Sequence, residues 1–594
     1  MSTIKNLIGK FLVWRSRNIN DRYFIILISA AIGFLSGVAA YLLKSSVFYI
    51  EKILTSSFRT QEQNYWYVVL PAIGILLTVL LIKYIIRDDT QHGIPRILYV
   101  ISRLGGKMKQ HKIYSSLFGS SLTAGFGGSI GLEAPIISAG SSIGSGLGQI
   151  LRLDYKSTIL LIGCGAAGAM ASIFTTPIAA VIFSLEVLML DLTISSIIPL
   201  LMASATGAIT TKILLAEKIL VHFKISEPFA VADVPFFLLL GILTGFVSLY
   251  FNRATHFITD RMEAFTNRSV RILVGVSILG LLIFLFPALY GEGYDAIRMI
   301  ISGNPGHLLE NSFFYTFRDN TWLFLLFLLF LIVFKVIATT LTLESGGVGG
   351  IFAPSAVTGG FAGFAFARFI NDLNFTRHLS EANFTLVGMA GVLGAVLHAP
   401  LTAIFLIAEM TNGYELIVPL MVTSTVSFVT IKTFDPHSIF TKKLAERGEL
   451  LTHHKDQAVL TLLNVRDVID KDILTINPNA TLGEFTSVIA KSKRNLFAVV
   501  DKEKNFLGMI VLDNVREDMF NRDKYGVPVT NYIFQPSARE KVSLDDSMET
   551  VMEKFKETGN YNLVVLNKGK YVGFVSRANV FNAYRQTLID VSHE

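Results

Sequence analysis

The segment Gly131-Leu132-Glu133-Ala134-Pro135 returns later in the chain as Gly350-Ile351-Phe352-Ala353-Pro354. The two stretches are offset equally at both ends (350 − 131 and 354 − 135 both give 219). Each interrupts a long apolar run, where a continuous membrane helix would gain nothing from glycine and proline. Broken helices at corresponding places in two halves point to a transport site near the bilayer midplane. A second block follows a neighbouring offset of 223. Gly165-x-Ala167-Gly168 through Pro177 to Glu186 matches Gly388-x-Ala390-Gly391 through Pro400 to Glu409. Two similar membrane halves of roughly 200 residues follow, and an inverted relation between them is expected because it is common among transporters.

Composition agrees. Of 594 residues 52% are hydrophobic and 16% charged, against roughly 25% charged in soluble proteins. Apolar runs at 24–43, 66–86, 158–190, 234–250, 272–291 and 322–342 approach or exceed the roughly 20 residues that span a bilayer. From about residue 440 the chain turns polar. The expected fold is an α-helical polytopic membrane protein with a two-fold internal repeat (residues 23–450), followed by a soluble α/β tail (451–594). Residues 1–22 are basic, with Lys5, Lys10, Arg15, Arg17 and Arg22. They lack an apolar core followed by a cleavage site and are expected to stay cytoplasmic. The expected location is the plasma or inner membrane, with both termini cytoplasmic. The net charge of +7 suits membrane-flanking loops and calls for no nucleic-acid partner. Cys164 is the single cysteine, so no disulfide forms within the chain. Glycines crowd the first half at 125, 127, 128, 131, 140, 144, 146 and 148, as close helix packing requires. Packing does not account for Glu133, because an acid inside a membrane is costly.

The tail reads as two βαβ-like units, about 464–520 and 528–587. Each has a short strand (Phe497-Ala498-Val499-Val500 and Asn562-Leu563-Val564-Val565), a polar turn, and a second strand ending before a helix.

With these motifs in order on an independently seen repeat, the membrane part resembles the CLC family of chloride channels and proton/chloride antiporters, over about residues 20–450. The tail resembles tandem CBS domains. Gln91-His92-Gly93-Ile94-Pro95 is similar to the family's first anion-site motif, usually Gly-Ser-Gly-Ile-Pro. Gly131 to Pro135 is similar to the second, usually Gly-Lys/Arg-Glu-Gly-Pro, and Gly350 to Pro354 matches the third. The resemblance implies chloride as the transported ion, a homodimer with one pathway per subunit, and no required cofactor. It implies anion contacts at His92, Gly93, Ile94, Gly350, Ile351, Phe352 and Phe440, and a gate at Glu133. The physical logic fits. Backbone N–H groups at helix starts give an anion partial positive charge without holding it tightly. An ionised Glu133 can occupy and block an anion site, and a protonated one can release it.

Four departures shape the expected function. His92 stands where the family usually has serine. Phe440, aligned with a central tyrosine, has no hydroxyl to donate. Val187 stands where antiporters usually carry a second glutamate for inner proton delivery, although some exchangers also lack it. Leu132 and Ala134 replace a basic residue and a glycine beside Glu133. The expectation is a passive, gated chloride channel; the alternative is a proton-coupled chloride antiporter. A CBS-regulated cation transporter ranks low, since divalent cations want clustered oxygen ligands and the membrane half offers few acids. An enzyme is not expected, because no nucleophile–base pair or metal-ligand cluster stands out. CBS pairs often bind adenine nucleotides. Here Ser576 and Asn579 occupy the positions of the family's Ser/Thr and Asp, so a carboxylate for the ribose is missing, and the alternative is a dimerisation module without a ligand.

Overall fold

The computed structural model describes residues 13–56 apart from residue 16, 65–87, 93–190, 193–215, 223, 227–310, 312, 314–315, 320–373, 378–446, 463–470, 473–492 and 494–592. The chain divides into two compact units, Met1–Leu450 and Leu451–Glu594.

The first unit is helical. Its first half contains α1 (Asp21–Thr55), α2 (Trp66–Leu80), α3 (Ile94–Arg103), α4 (Lys112–Gly125), α5 (Glu133–Ile150), α6 (Tyr155–Phe174), α7 (Pro177–Glu186) and α8 (Ile194–Leu214). The second half contains α9 (Val234–Glu263), α10 (Arg268–Leu285), α11 (Tyr294–Ile301), α12 (Thr321–Glu344), α13 (Phe352–Leu373), α14 (Glu381–Leu397), α15 (Pro400–Met410), α16 (Ile417–Phe434) and the short α17 (Lys442–Glu446). Among the described residues, eight helices are long and apolar enough to cross a membrane. They include Ser195–Leu214 and Ile417–Phe434, which the apolar runs did not pick out because serines and threonines dilute them. The run 158–190 is two helices. Thr175 adopts a left-handed conformation (φ +57°) and Pro177 opens α7, since proline fits a helix start where its missing N–H costs nothing.

The repeat seen in sequence is a repeat in packing. In the first half α5 packs on α6, α1 on α8 and α6 on α8; in the second, α13 packs on α14, α9 on α16 and α14 on α16. Small residues set the closest crossings. A Cβ on Gly140 would lie 2.2 Å from the Gly165 carbonyl, and one on Gly359 would lie 2.3 Å from that of Gly388.

The halves are inverted, and the hydrogen bonds show where they meet. Both broken helices cross at one point. The Gly131 N–H donates to the Gly350 carbonyl at 2.8 Å, and the Gly350 N–H donates back at 2.9 Å. The Ser129 N–H donates to Thr342 Oγ1 at 3.3 Å, and the Val348 N–H to Thr123 Oγ1 at 3.1 Å. A second reciprocal pair joins α7 and α15. Glu186, closing α7, accepts from the N–H groups of Leu401 and Thr402 (3.2 and 2.8 Å) and from Thr402 Oγ1 (2.7 Å). Glu409, in the last turn of α15, accepts from Ile178 and Ala179 N–H (3.0 and 2.8 Å). Each helix thus caps the start of the other with a carboxylate, which satisfies orphan N–H groups and complements the dipole. Two helices can do this only when antiparallel, so a two-fold axis across them relates the halves.

The second unit is the α/β pair. It contains α18 (Val465–Val468), β1 (Ile469–Asp470), β2 (Thr475–Ile476), α19 (Leu482–Lys491), β3 (Leu496–Val500), β4 (Phe506–Val511), α20 (Leu512–Val515), β5 (Lys541–Ser543), α21 (Met548–Thr558), β6 (Asn562–Asn567), β7 (Lys570–Ser576) and α22 (Arg577–Ser592). One sheet runs β2-β3-β4 and the other β1-β7-β6-β5. The modules exchange their leading segments. Val465 and Val468 pack with Val542, Leu563 and Val575 of the second module, and Val529 packs with Ile476, Phe485 and Phe497 of the first. The ranges 464–520 and 528–587 therefore follow the sequence repeat rather than the packed bodies. The sheets share Ala498, Met509, Val564 and Phe574 as a joint core.

Candidate anion and proton site

Three helix starts converge beside Glu133. α5 begins with this residue, α13 begins with Phe352 two residues after Gly350, and α3 begins with Ile94 after Gly93 (φ +103°). Their closeness is measured at Ala134. A Cβ added to Gly350 would lie 2.7 Å from the Ala134 Cβ, and one added to Gly93 would lie 3.7 Å from it. The N-terminal N–H groups of three helices therefore supply partial positive charge to one small region.

Glu133 is fully buried. Its Oε1 accepts a hydrogen bond from Tyr294 Oη at 3.1 Å, while Oε2 has no hydrogen-bond partner. A Cβ at position 131 would sit 2.0 Å from that free oxygen, so glycine there gives the carboxylate its room. Phe174 closes the wall, with ring centroids 6.1 Å from Tyr294 and 5.8 Å from Phe352. A buried carboxylate with one free oxygen is costly when ionised. The arrangement suits a group that takes up and releases a proton, or exchanges places with an anion.

Of the residues singled out in the sequence, Gly93, Glu133, Gly350 and Phe352 meet here, with Ile94 and Ile351 buried at the same helix starts. His92 lies outside the described residues. Phe440 follows α16 and is buried in the core of the membrane unit. Val187 is the buried C-cap of α7, so the residue after Glu186 offers no proton carrier. Ala134 matches Ala353 in place as well as in sequence. Gly131 approaches Ala353 as Gly350 approaches Ala134, so the alanine that departs from the family's usual glycine fits the crossing. In the tail, Ser576 Oγ accepts the Asn579 N–H at 3.1 Å and caps α22.

Sequence reading missed four charged or hydroxyl groups. Tyr294 holds Glu133. Glu292 Oε1 accepts the N–H of Leu132, the residue before Glu133, at 3.4 Å. Lys335, fully buried in α12, donates from Nζ to the carbonyls of Leu289 and Gly291 at 3.2 and 3.0 Å. Lys44 is buried on α1. A lysine inside the run Leu331-Ile332-Val333-Phe334-Lys335-Val336 was the available signal, since intramembrane cations are functional candidates by default. Glu292, Tyr294 and Lys44 line a cavity of about 440 Å³. Among the described residues, no group of three His, Cys, Asp or Glu side chains could hold a metal ion.

An inverted membrane repeat with a buried carboxylate among three helix starts at its axis defines a membrane anion-transport protein. The family model for voltage gated chloride channels matches residues 73–432, and the chain belongs to that family. CBS domain models match residues 465–521 and 537–586. A relative named H(+)/Cl(-) exchange transporter ClcA from Vibrio campbellii is 27% identical over 74% of this chain and 92% of its own length. One of the same name from Klebsiella pneumoniae is 26% identical, covering 67% of this chain and 84% of its own. Among solved structures, a slow cyanobacterial Cl-/H+ antiporter superimposes with TM-score 0.60 and 25% identity, over 73% of this chain and 99% of that one. A CLC-type fluoride/proton antiporter gives TM-score 0.56 and 25% identity, over 70% and 97%.

Proposed function

We propose that this multi-pass membrane protein is a proton-coupled chloride antiporter. This replaces the passive channel expected from Val187, because the named relatives and the two similar structures are exchangers or antiporters. The observation that carries the reading is Glu133, buried among three helix starts with one oxygen held by Tyr294 and the other free. Ionised, it competes with chloride for the N–H groups. Protonated, it leaves them to the ion. Alternating between the two states exchanges a proton for an anion at one place. The protein works as a homodimer with one pathway per subunit and both termini on the cytoplasmic side. The CBS pair is a regulatory tail, and an adenine nucleotide there would meet Asn579 in place of the usual carboxylate.

The test is flux from proteoliposomes with chloride and proton electrodes together. Coupled movement in a fixed ratio is expected. Chloride movement without protons would return the reading to the passive channel, which Val187 favours because an aliphatic side chain relays no proton. Cross-linking in detergent that yields only monomer would remove the dimer.

A further inference from the structure

Glu133 must exchange its proton with water, yet it is fully buried and does not line the cavity beside it. Two side chains connect them. Tyr294 reaches the Glu133 carboxylate with its hydroxyl and also lines the cavity. Glu292 lines the cavity and takes the Leu132 N–H, at the start of the helix that carries Glu133. The loop bearing Glu292 is anchored from inside by Lys335, which binds two of its carbonyls.

The repeat explains why a carboxylate is stable there. Gly93 precedes α3 with φ +103° and Gly293 precedes α11 with φ +96°, and the Ile97 N–H to Gly93 and Ile297 N–H to Gly293 hydrogen bonds are both 3.4 Å. Gly93 and Gly293 therefore hold equivalent positions in the two halves, and Glu292 directly precedes the second. Leu132 and Ile351 are equivalent too, by the 219-residue offset. Glu292 on the Leu132 N–H therefore takes, in the other half, the place that an anion on the Ile351 N–H would take. It is a tethered anion at the mirrored site.

Resting on the antiporter reading, we propose that Glu292 is the proton-transfer partner of Glu133 on the cavity side. The O–H bond at Glu133 breaks and one at Glu292 forms. The proton passes through the Tyr294 hydroxyl, which gives up its own proton toward the cavity as it takes the incoming one. Buried charge is conserved, since one carboxylate ionises as the other is neutralised. The charged and titratable groups that line the cavity with Glu292 are Lys44 and Glu51 on α1, Asp295 and Arg298 on α11, and His307 and Glu310 after it, and Glu133 on α5 and Lys335 on α12 act on Glu292 from inside. The two lysines make one shared negative charge tolerable. The cavity takes Lys44, Glu51 and Thr55 from the end of α1 opposite the N-terminal segment. With a cytoplasmic N-terminus it opens outward, so Glu292 serves the outer exchange.

The experiment is Glu292→Gln in the full-length chain in proteoliposomes, measuring proton and chloride flux while external pH is varied from about 5 to 8. We expect coupled flux about ten-fold lower and its dependence on external pH flattened. Glu292→Asp should restore the pH dependence. In a Glu133→Gln background, Glu292→Gln should change chloride flux less than two-fold. If Glu292→Gln fails to give monodisperse protein, Tyr294→Phe, which deletes only the hydroxyl, carries the same expectation of slowed proton flux. Wild-type coupling and pH profile in Glu292→Gln, or in Tyr294→Phe where that variant is used instead, would overturn the relay while leaving the antiporter intact. Wild-type protein that moves chloride without protons would instead overturn the antiporter reading, and the relay with it.

Discussion

The two halves share one backbone plan and differ in their charges. Gly131 and Gly350 pair with each other, Thr123 and Thr342 each cap the other half's loop, and Glu186 and Glu409 each cap the other half's helix. These positions carry the same residue in both repeats, and their work is structural. Where the repeats diverge, one half has a titratable group and the other does not, or has one of opposite character. Glu133 corresponds to Phe352, and in sequence His92 precedes Gly93 as Glu292 precedes Gly293. The fold rests on the symmetry, and the proposed proton and anion chemistry on its breaks.

The largest effect should come from the shared crossings. Gly140→Leu and Gly359→Leu would each drive a side chain into a facing carbonyl at about 2 Å, a contact that backbone cannot yield cheaply. Neither variant should elute as monodisperse protein in detergent. If one half tolerates leucine and the other does not, the repeats are not equivalent scaffolds.

Next come the divergent partners Glu133 and Phe352. Glu133→Gln fixes the protonated form, so proton flux should fall to background. Chloride flux should become less pH-dependent and remain at least as large at pH 7. Phe352→Leu keeps the helix start and an apolar side chain, so coupling should persist. A well-folded Glu133→Gln with no chloride flux would remove Glu133 from the gating role. Loss of coupling in Phe352→Leu would mean that the asymmetry lies elsewhere.

A smaller effect is expected at the reciprocal caps. Glu186→Ala and Glu409→Ala each strand two N–H groups, at a cost of about 1–3 kcal/mol. Both should lower the apparent melting temperature by several degrees. Glu186→Ala should lower it slightly more, because Thr402 Oγ1 is also lost as a partner. A melting temperature unchanged in either variant would show that water satisfies those groups.

These pairs also explain what was legible in the sequence. The symmetric part was, because an exact repeat of glycine and proline at fixed offset has few causes other than a repeated backbone. Glu133 was, because an acid in a membrane needs a reason. Lys335 left a signal, a lysine inside an apolar run, that was passed over; Glu292 and Tyr294 left none. Gly291-Glu292-Gly293 resembles an ordinary polar loop, and only folding sets it against the start of α5. The equivalence of Gly293 to Gly93 appears at a different offset, 200 rather than 219 or 223, so a single-offset search passes over it. The paired modules of the tail were visible as strands and turns. Their exchange of leading segments was not, since nothing local in Val465 or Val529 specifies which core receives it.

The smallest effect sharpens the comparison most, because it separates the two faces of the axis. His92 precedes Gly93 in sequence as Glu292 precedes Gly293, and the two respond oppositely to a proton: acidification charges an imidazole and neutralises a carboxylate. Both changes make the local potential more positive. If position 92 touches the ion, imidazolium adds a charge and a second N–H donor. With Phe440 lacking a hydroxyl, it would be the main side-chain donor left. Chloride affinity should then strengthen as the pH falls. His92→Ser should flatten that rise while transport continues. The sidedness distinguishes it from Glu292→Gln. With internal pH held constant, the Glu292 step should follow external pH, and His92→Ser should leave that step in place. Matching pH profiles for wild type and His92→Ser would place the imidazole away from the ion and leave Glu133 and Glu292 as the titrating pair.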